Sequence, residues 1–203
     1  MIAEQDVLPM VRRANEVAGP PQGCWTYDDY ARIPDDGRRY EIIDGVLYMA
    51  PSPSEPHQGA INFFIIHLMT HIYFTGLGRV YAAPFDVQLA PRVVVQPDIV
   101  VVLKENLGIV THARIVGAPD LVVEIASPGT SGYDRRQKQD AYARAGVREY
   151  WHADPINRTI EPLSLVGGAY ESLGVFRGKA LLPTAVIPGL PVPVEQFFDV
   201  PAA

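Results

Sequence analysis

Hydrophobic and polar positions along this chain change period several times, and each change predicts an element. From Arg39 to Met49 two apolar runs flank Asp44-Gly45, a dipeptide that favours the positive φ angles of a tight type I′ turn. A hairpin with strands Arg39 to Ile43 and Val46 to Met49 is expected. After Pro51-Ser52-Pro53, the positions Ile61, Ile65, Leu68 and Ile72 recur at helical spacing, which predicts a helix from about Glu55 to Tyr73 packed across a sheet. Short apolar runs follow at Arg79 to Ala82, Phe85 to Leu89, Val94 to Leu103 and Leu121 to Ile125, and they read as strands. A helix from Tyr133 to Ala145, ended by Gly146, leads to a further strand at Arg148 to Ala153. Upstream, Asp6 to Val17 reads as a helix stopped by Gly19-Pro20-Pro21, and Thr26 caps a short helix from Tyr27 to Arg32. Downstream, strand-like runs alternate with Gly167-Gly168, Gly178, Pro183 and Pro188 before a helical turn at Val194 to Phe198.

This order predicts an α/β (α+β) fold: a mixed β-sheet flanked by helices, with an N-terminal helical segment and a β-rich C-terminal tail. The chain contains no internal repeat and no low-complexity segment. Its 203 residues and 48% hydrophobic content suit a single domain, residues 1–203, with a core of its own.

Charge narrows the possible partners. A net charge of −6 argues against a broad basic face, so any nucleic-acid site must be small and concentrated. Cys24 is the only cysteine, which excludes an intramolecular disulfide and a cysteine-based zinc site. The N-terminus lacks a basic region followed by an apolar stretch, and the most apolar segment, Ile61 to Phe74, is interrupted by His67 and His71. A cytoplasmic protein without membrane spans is expected.

Two acids occupy strand positions that ought to be apolar: Asp98, in the run Val93 to Leu103, and Glu124, in the run Leu121 to Ala126. A buried carboxylate without compensation costs several kcal/mol, on the order of 3 to 5, so each must meet a cation, a metal or hydrogen bonds. If both face one crevice, they make a magnesium or manganese site, completed by a backbone carbonyl such as that of Ile125 and by water. On the following helix Asp134, Lys138 and Tyr142 recur every four residues and share one stripe. Lys138 from that stripe could orient the attacking water or neutralise charge developing on a phosphoryl group. Glu41, from the hairpin, is a candidate third acid holding the lysine or the metal's water shell. His57, near the start of the long helix, is placed to contact phosphate or to orient Glu41.

Each residue also has a plainer reading. Asp98 follows a proline and could bond only to backbone at a strand entry; Glu124 could be a buried ion pair with an arginine or with Lys138 itself; Glu41 and His57 could serve solubility or capping. Arg135, Arg136, Arg144 and Arg148 surround the proposed site helix, and either meet a nucleic-acid backbone or form a solvated face. Other templates fail. His67 and His71 have the spacing of a zinc pair, but Leu68 stands where the expected glutamate would be. No nucleophile elbow, phosphate loop or dinucleotide-binding glycine turn occurs.

Longer motifs carry a resemblance. They are Tyr40-Glu41-Ile42-Ile43-Asp44-Gly45; Pro51-Ser52 with His57; Gln96-Pro97-Asp98; and Val123-Glu124-Ile125 with Ser127-Pro128. Tyr133-Asp134-Arg135 with Lys138 follows, then Tyr142-Ala143 through Gly146-Val147 to Glu149-Tyr150-Trp151 and Asp154-Pro155. In order and spacing they resemble the Uma-type restriction endonuclease family, bacterial proteins of about this length in the PD-(D/E)xK nuclease superfamily. The resemblance spans Tyr40 to Pro155. It implies a restriction-endonuclease-like core and a magnesium-dependent endonuclease, a hydrolase acting on ester bonds in DNA. Ala126 stands where the superfamily pattern has lysine, and in the family the chain resembles that lysine sits on the next helix, here at Lys138. Cutting both strands with one site per chain would favour a homodimer. The reading from a different class is a nuclease-like fold that no longer cuts and serves as a nucleic-acid-binding or regulatory partner.

Overall fold

Asp44 and Gly45, with φ of 51° and 78°, turn the chain as a type I′ hairpin requires. They join β2 (Arg39–Ile43) to β3 (Val46–Ala50) in the computed structural model, which describes residues 11–127 and 133–198, with the backbone alone over 133–135. A Cβ on Gly45 would lie 2.3 Å from the Gly23 carbonyl oxygen, so this corner is closed to other residues. β1 (Arg12–Arg13) adds to the free edge of β3, pairing Arg12 with Met49 and Arg13 with Tyr48.

That pairing corrects the helix expected over Asp6 to Val17. Residues 6–10 lie outside the described residues, and residues 11–17 are not helical. The edge of β3 offers backbone partners that a helix would forgo: the Ala14 amide donates to the Leu47 carbonyl at 2.9 Å, and Ala14 is buried beside Trp25 and Leu47. α1 (Tyr27–Tyr30) is shorter than expected, and Thr26 and Asp29 close a capping box at its start.

Among the described residues the strands form two mixed sheets rather than one. β5 (Val87–Ala90), β6 (Val93–Val95) and β8 (Ile115–Val116) complete the first, in the order β1-β3-β2-β6-β5-β8. The second holds β4 (Gly78–Ala82), β7 (Ile99–Leu103), β9 (Leu121–Ile125), β10 (Glu149–Asp154), β11 (Thr159–Val166) and β12 (Ala169–Ser172). Its order is β12-β11-β10-β9-β7-β4, with β13 (Phe176–Arg177) also on β11. Within it β9 and β10 are parallel, joined by α3 (Tyr133–Ala145), as a parallel pair needs a crossover.

The run expected as one strand from Val94 to Leu103 is therefore two strands in different sheets. Pro97 has no N–H to give a ladder, and the Gln96 amide donates to the Glu41 side chain instead of to a strand. The chain leaves the first sheet at Val95 and enters the second at Ile99, which puts Gln96-Pro97-Asp98 on the seam between them.

α2 (Glu55–Leu68) continues into a π-helical turn, Met69–Tyr73, and buries Ile61, Phe64, Leu68 and Ile72. These pack with Ile99, Val101, Leu121 and Val123 on one face of the second sheet. Strand side chains alternate, so Val100 and Val122 point to the other face, where Ala141 and Tyr142 of α3 join them to Ile43 and Val95 of the first sheet. The face predicted for α2 is the one buried. Among the described residues no helix is long and apolar enough to cross a membrane.

Candidate active site

The ladder between β7 and β9 pairs Ile99 with Val123, and one step further the same antiparallel register sets Asp98 opposite Glu124. Asp98 Oδ2 accepts the Ile125 amide at 2.8 Å and lies 3.0 Å from His57 Nε2, which the first turns of α2 bring to the strand entry. Glu124 Oε1 accepts the Tyr142 hydroxyl at 2.5 Å and the Lys138 ammonium at 3.0 Å. Lys138 also reaches Glu41 Oε1, 2.9 Å away, and that oxygen accepts the Gln96 amide at 2.7 Å. The four-residue spacing of Lys138 and Tyr142 puts both on one face of α3. The side chain of Asp134, on the same stripe, lies outside the described residues.

Glu41, Asp98, His57 and Lys138 are only 4, 5, 6 and 7% exposed, so their charges are screened little by solvent. Among the described residues, three carboxylates share one ammonium and one imidazole here. Glu124 registers the imbalance: burial, reinforced by the Asp98 and Glu41 charges, raises its carboxyl from 4.5 to about 8 against the opposing pull of Lys138 and the Tyr142 hydroxyl. Burial and the Glu124 charge push the Tyr142 phenol well above its usual range.

A raised folded-state value means that the folded protein keeps a proton which the unfolded chain releases. The contribution to stability is complete below about 4.5 and is lost as pH rises through about 8. Metal-free protein should therefore melt lower at about pH 8.5 than at about pH 5.5, and Glu124→Gln should flatten that slope. Parallel melting-versus-pH curves for the two proteins would remove this assignment.

The donor set suits a hard cation. Among the described residues Asp98 Oδ1, Glu124 Oε2 and Glu41 Oε2 accept no hydrogen bond. A cavity of about 70 Å³, lined by Glu41, His57, Gln96, Asp98, Glu124 and Lys138, is large enough for several waters. His57 Nδ1 and Gln96 Oε1, both on this cavity, are buried with no hydrogen-bond partner. Among the described residues no group of three or more His, Cys, Asp or Glu side chains is placed to hold a metal ion, so at most two of these carboxylates would serve as ligands. Two carboxylates with room for water fit an ion that keeps much of its hydration, as magnesium does. Asp98 and Glu124 are the residues that would hold it. Ile125 lines the cavity beside them, with its amide already donated to Asp98.

The fold thus brings Glu41, His57, Asp98, Glu124, Ile125, Lys138 and Tyr142 to one place. His57 pairs with Asp98 and not with Glu41, because α2 starts over the entry to β7 while Glu41 sits across the seam, held by Gln96 and Lys138. The arginines do not gather here among the described residues. Arg144 pairs with Asp44 at 2.8 Å, Arg148 with Asp120 at 3.2 Å, and Arg136 is exposed; the Arg135 side chain lies outside the described residues.

Two contributors escape a reading of isolated acids. Gln96 acts as a joint: besides its amide on Glu41, its Nε2 donates to the Tyr30 hydroxyl at 3.1 Å and to Asp86 Oδ1 at 2.9 Å. A glutamine before proline inside an apolar run was the available signal. Arg39 lines the same cavity, and its alternation with Glu41 along β2 would have found it.

The model of the family Uma2, described as "Putative restriction endonuclease", matches residues 27–195. The chain is similar to a crystal structure described as a "putative nuclease belonging to DUF820" from Anabaena variabilis ATCC 29413. The two share a TM-score of 0.72 and 20% identity, over 86% of this chain and 97% of that one. At that identity the likeness carries the fold, which is restriction-endonuclease-like. No curated protein matches the chain.

Proposed function

Since the chain belongs to the Uma2 restriction endonuclease family, we propose that it is a metal-dependent endonuclease hydrolysing phosphodiester bonds in DNA. One observation carries this reading: acids from two neighbouring strands and a lysine from the next helix meet at a single cavity. Held by Asp98 and Glu124, magnesium or manganese would supply Lewis-acid polarisation of the phosphoryl group and a more acidic water.

The chain's own residues supply the positioning. His57 and the Ile125 amide fix Asp98 through Oδ2, which keeps Oδ1 for a ligand. Glu41, itself fixed by the Gln96 amide, holds the Lys138 ammonium beside Glu124. A cation locked there before substrate arrives lies where negative charge accumulates on the phosphoryl oxygens, and needs little reorganisation during reaction. Tyr142, by donating to Glu124, keeps that carboxylate on the cavity wall.

The test is cleavage of labelled duplex DNA, single-stranded DNA and RNA by purified protein with magnesium or manganese, and with a chelator. Metal-dependent cutting of DNA, abolished by the chelator, is expected. Folded protein that cuts no nucleic acid with either metal would sink the proposal. The neutralisation of Lys138 by two carboxylates favours one second reading, a non-cutting fold that binds nucleic acid or regulates a partner. Binding without cleavage would select it.

A further inference from the structure

Lys138 pairs with the strand acid Glu124, yet its charge is already matched by Glu41 and Glu124 at 2.9 and 3.0 Å. His57 is engaged with Asp98. Among the described residues the remaining basic side chain on the cavity wall is Arg39, half-buried, on the same face of β2 as Glu41. Its guanidinium makes no hydrogen bond or ion pair with any described residue, and its Nε is buried with no partner. A buried guanidinium N–H without a protein partner is costly unless water or a ligand meets it, and so marks a place where one can bind.

The cavity itself is rich in carboxylates, so an anion would be repelled from its floor and would need a cation at its edge. Arg39 lies next to Ala50, its partner across the hairpin, and shares the cavity wall with Pro51, Ser52 and Pro53, the segment leading into α2. A guanidinium presents a planar fork that matches two phosphate oxygens, whereas an ammonium is a point charge. Two further buried polar atoms, His57 Nδ1 and Gln96 Oε1, face the same cavity unpaired.

We propose that Arg39 is a substrate-positioning residue that binds a backbone phosphate of the nucleic acid beside the bond to be cut. The inference rests on the nuclease reading and assigns a phosphodiester-binding role to a residue outside the acid-and-lysine set. Arg39 carries substrate affinity and register, while Asp98, Glu124 and Lys138 carry the chemistry. The contact is ionic, so it depends on salt.

The experiment measures binding of a fluorescent DNA duplex by anisotropy across a range of salt, with calcium in place of magnesium, alongside cleavage kinetics in manganese. Arg39→Met preserves the apolar stem and removes the fork. It should weaken binding tenfold or more, raise KM by a similar factor with kcat changed less than about threefold, and lower the slope of log affinity against log salt by about 0.9. Arg39→Lys keeps one charge and should restore the salt slope with only part of the affinity, a pattern that a merely structural role would not give. If Arg39→Met fails to fold, the Arg39→Lys comparison alone decides. Parent-like affinity and salt slope in the folded variant overturn the proposal while leaving the nuclease reading intact. A parent that binds DNA in an Arg39-dependent way but never cuts supports Arg39 and overturns the nuclease reading. A parent that neither binds nor cuts overturns both.

Discussion

Replacing Lys138 with alanine should slow DNA cleavage by about two orders of magnitude or more, roughly 3 kcal/mol of lost transition-state stabilisation. The same change reaches into the fold. Lys138 bridges Glu41 and Glu124, and removing one member of a buried ion network leaves carboxylates uncompensated, at a cost on the order of 3 kcal/mol. Glu124 can relieve part of this by keeping a proton, since its carboxyl is already raised to about 8. Metal-free Lys138→Ala should therefore lose more stability at alkaline than at mildly acidic pH, and manganese should recover much of the difference. Rates are compared per folded protein, with folding followed by circular dichroism. A folded Lys138→Ala protein that cuts at the parent's rate would refute the role given to this lysine.

Asp98→Asn tests the strand acids. Ligand that binds only the folded state stabilises it by about 2.7 kcal/mol at a hundred times Kd, which for a chain of this size raises the melting temperature by roughly 5 to 10 °C. Manganese should produce a rise of that order in the parent and none in Asp98→Asn. The amide can still accept the Ile125 N–H, so the strand entry survives the substitution. Without metal, Asp98→Asn should also lower the Glu124 carboxyl, because one of the charges raising it has gone. Equal manganese shifts in parent and variant would remove Asp98 as a ligand; no shift in either would leave the non-cutting reading ahead.

Local chemistry was legible in the sequence wherever it was decisive. Asp44-Gly45 determines a turn by its φ angles alone, and the spacing of Ile61, Leu68 and Ile72 identifies the buried side of α2. The acids stood out because Asp98 and Glu124 violate an apolar pattern. Long-range pairing was not legible. Nothing local distinguishes Arg12-Arg13 as a strand, since its partner is the edge of β3, more than thirty positions later. The division of Val94 to Leu103 between two sheets follows from where the Gln96 amide goes, and that depends on Glu41 being folded against it. The same dependence hid Gln96 and Arg39, whose importance lies in what surrounds them.

The seam between the sheets gives the site a second property. Glu124, Lys138 and Tyr142 belong to the second sheet and its crossover helix and Asp98 enters that sheet from the seam, while among the described residues at the site Glu41 is the carboxylate offered from the first. The lysine is thus clamped between two bodies that meet there, and its alignment reads out how closely they are docked. A substitution under the hairpin, among Trp25, Ile42 and Leu47, touches no reacting atom yet acts on the clamp through the position of β2. If the proposed nuclease reading holds, catalytic precision is in that sense a measure of assembly, and substitutions in the core beneath the hairpin should change it.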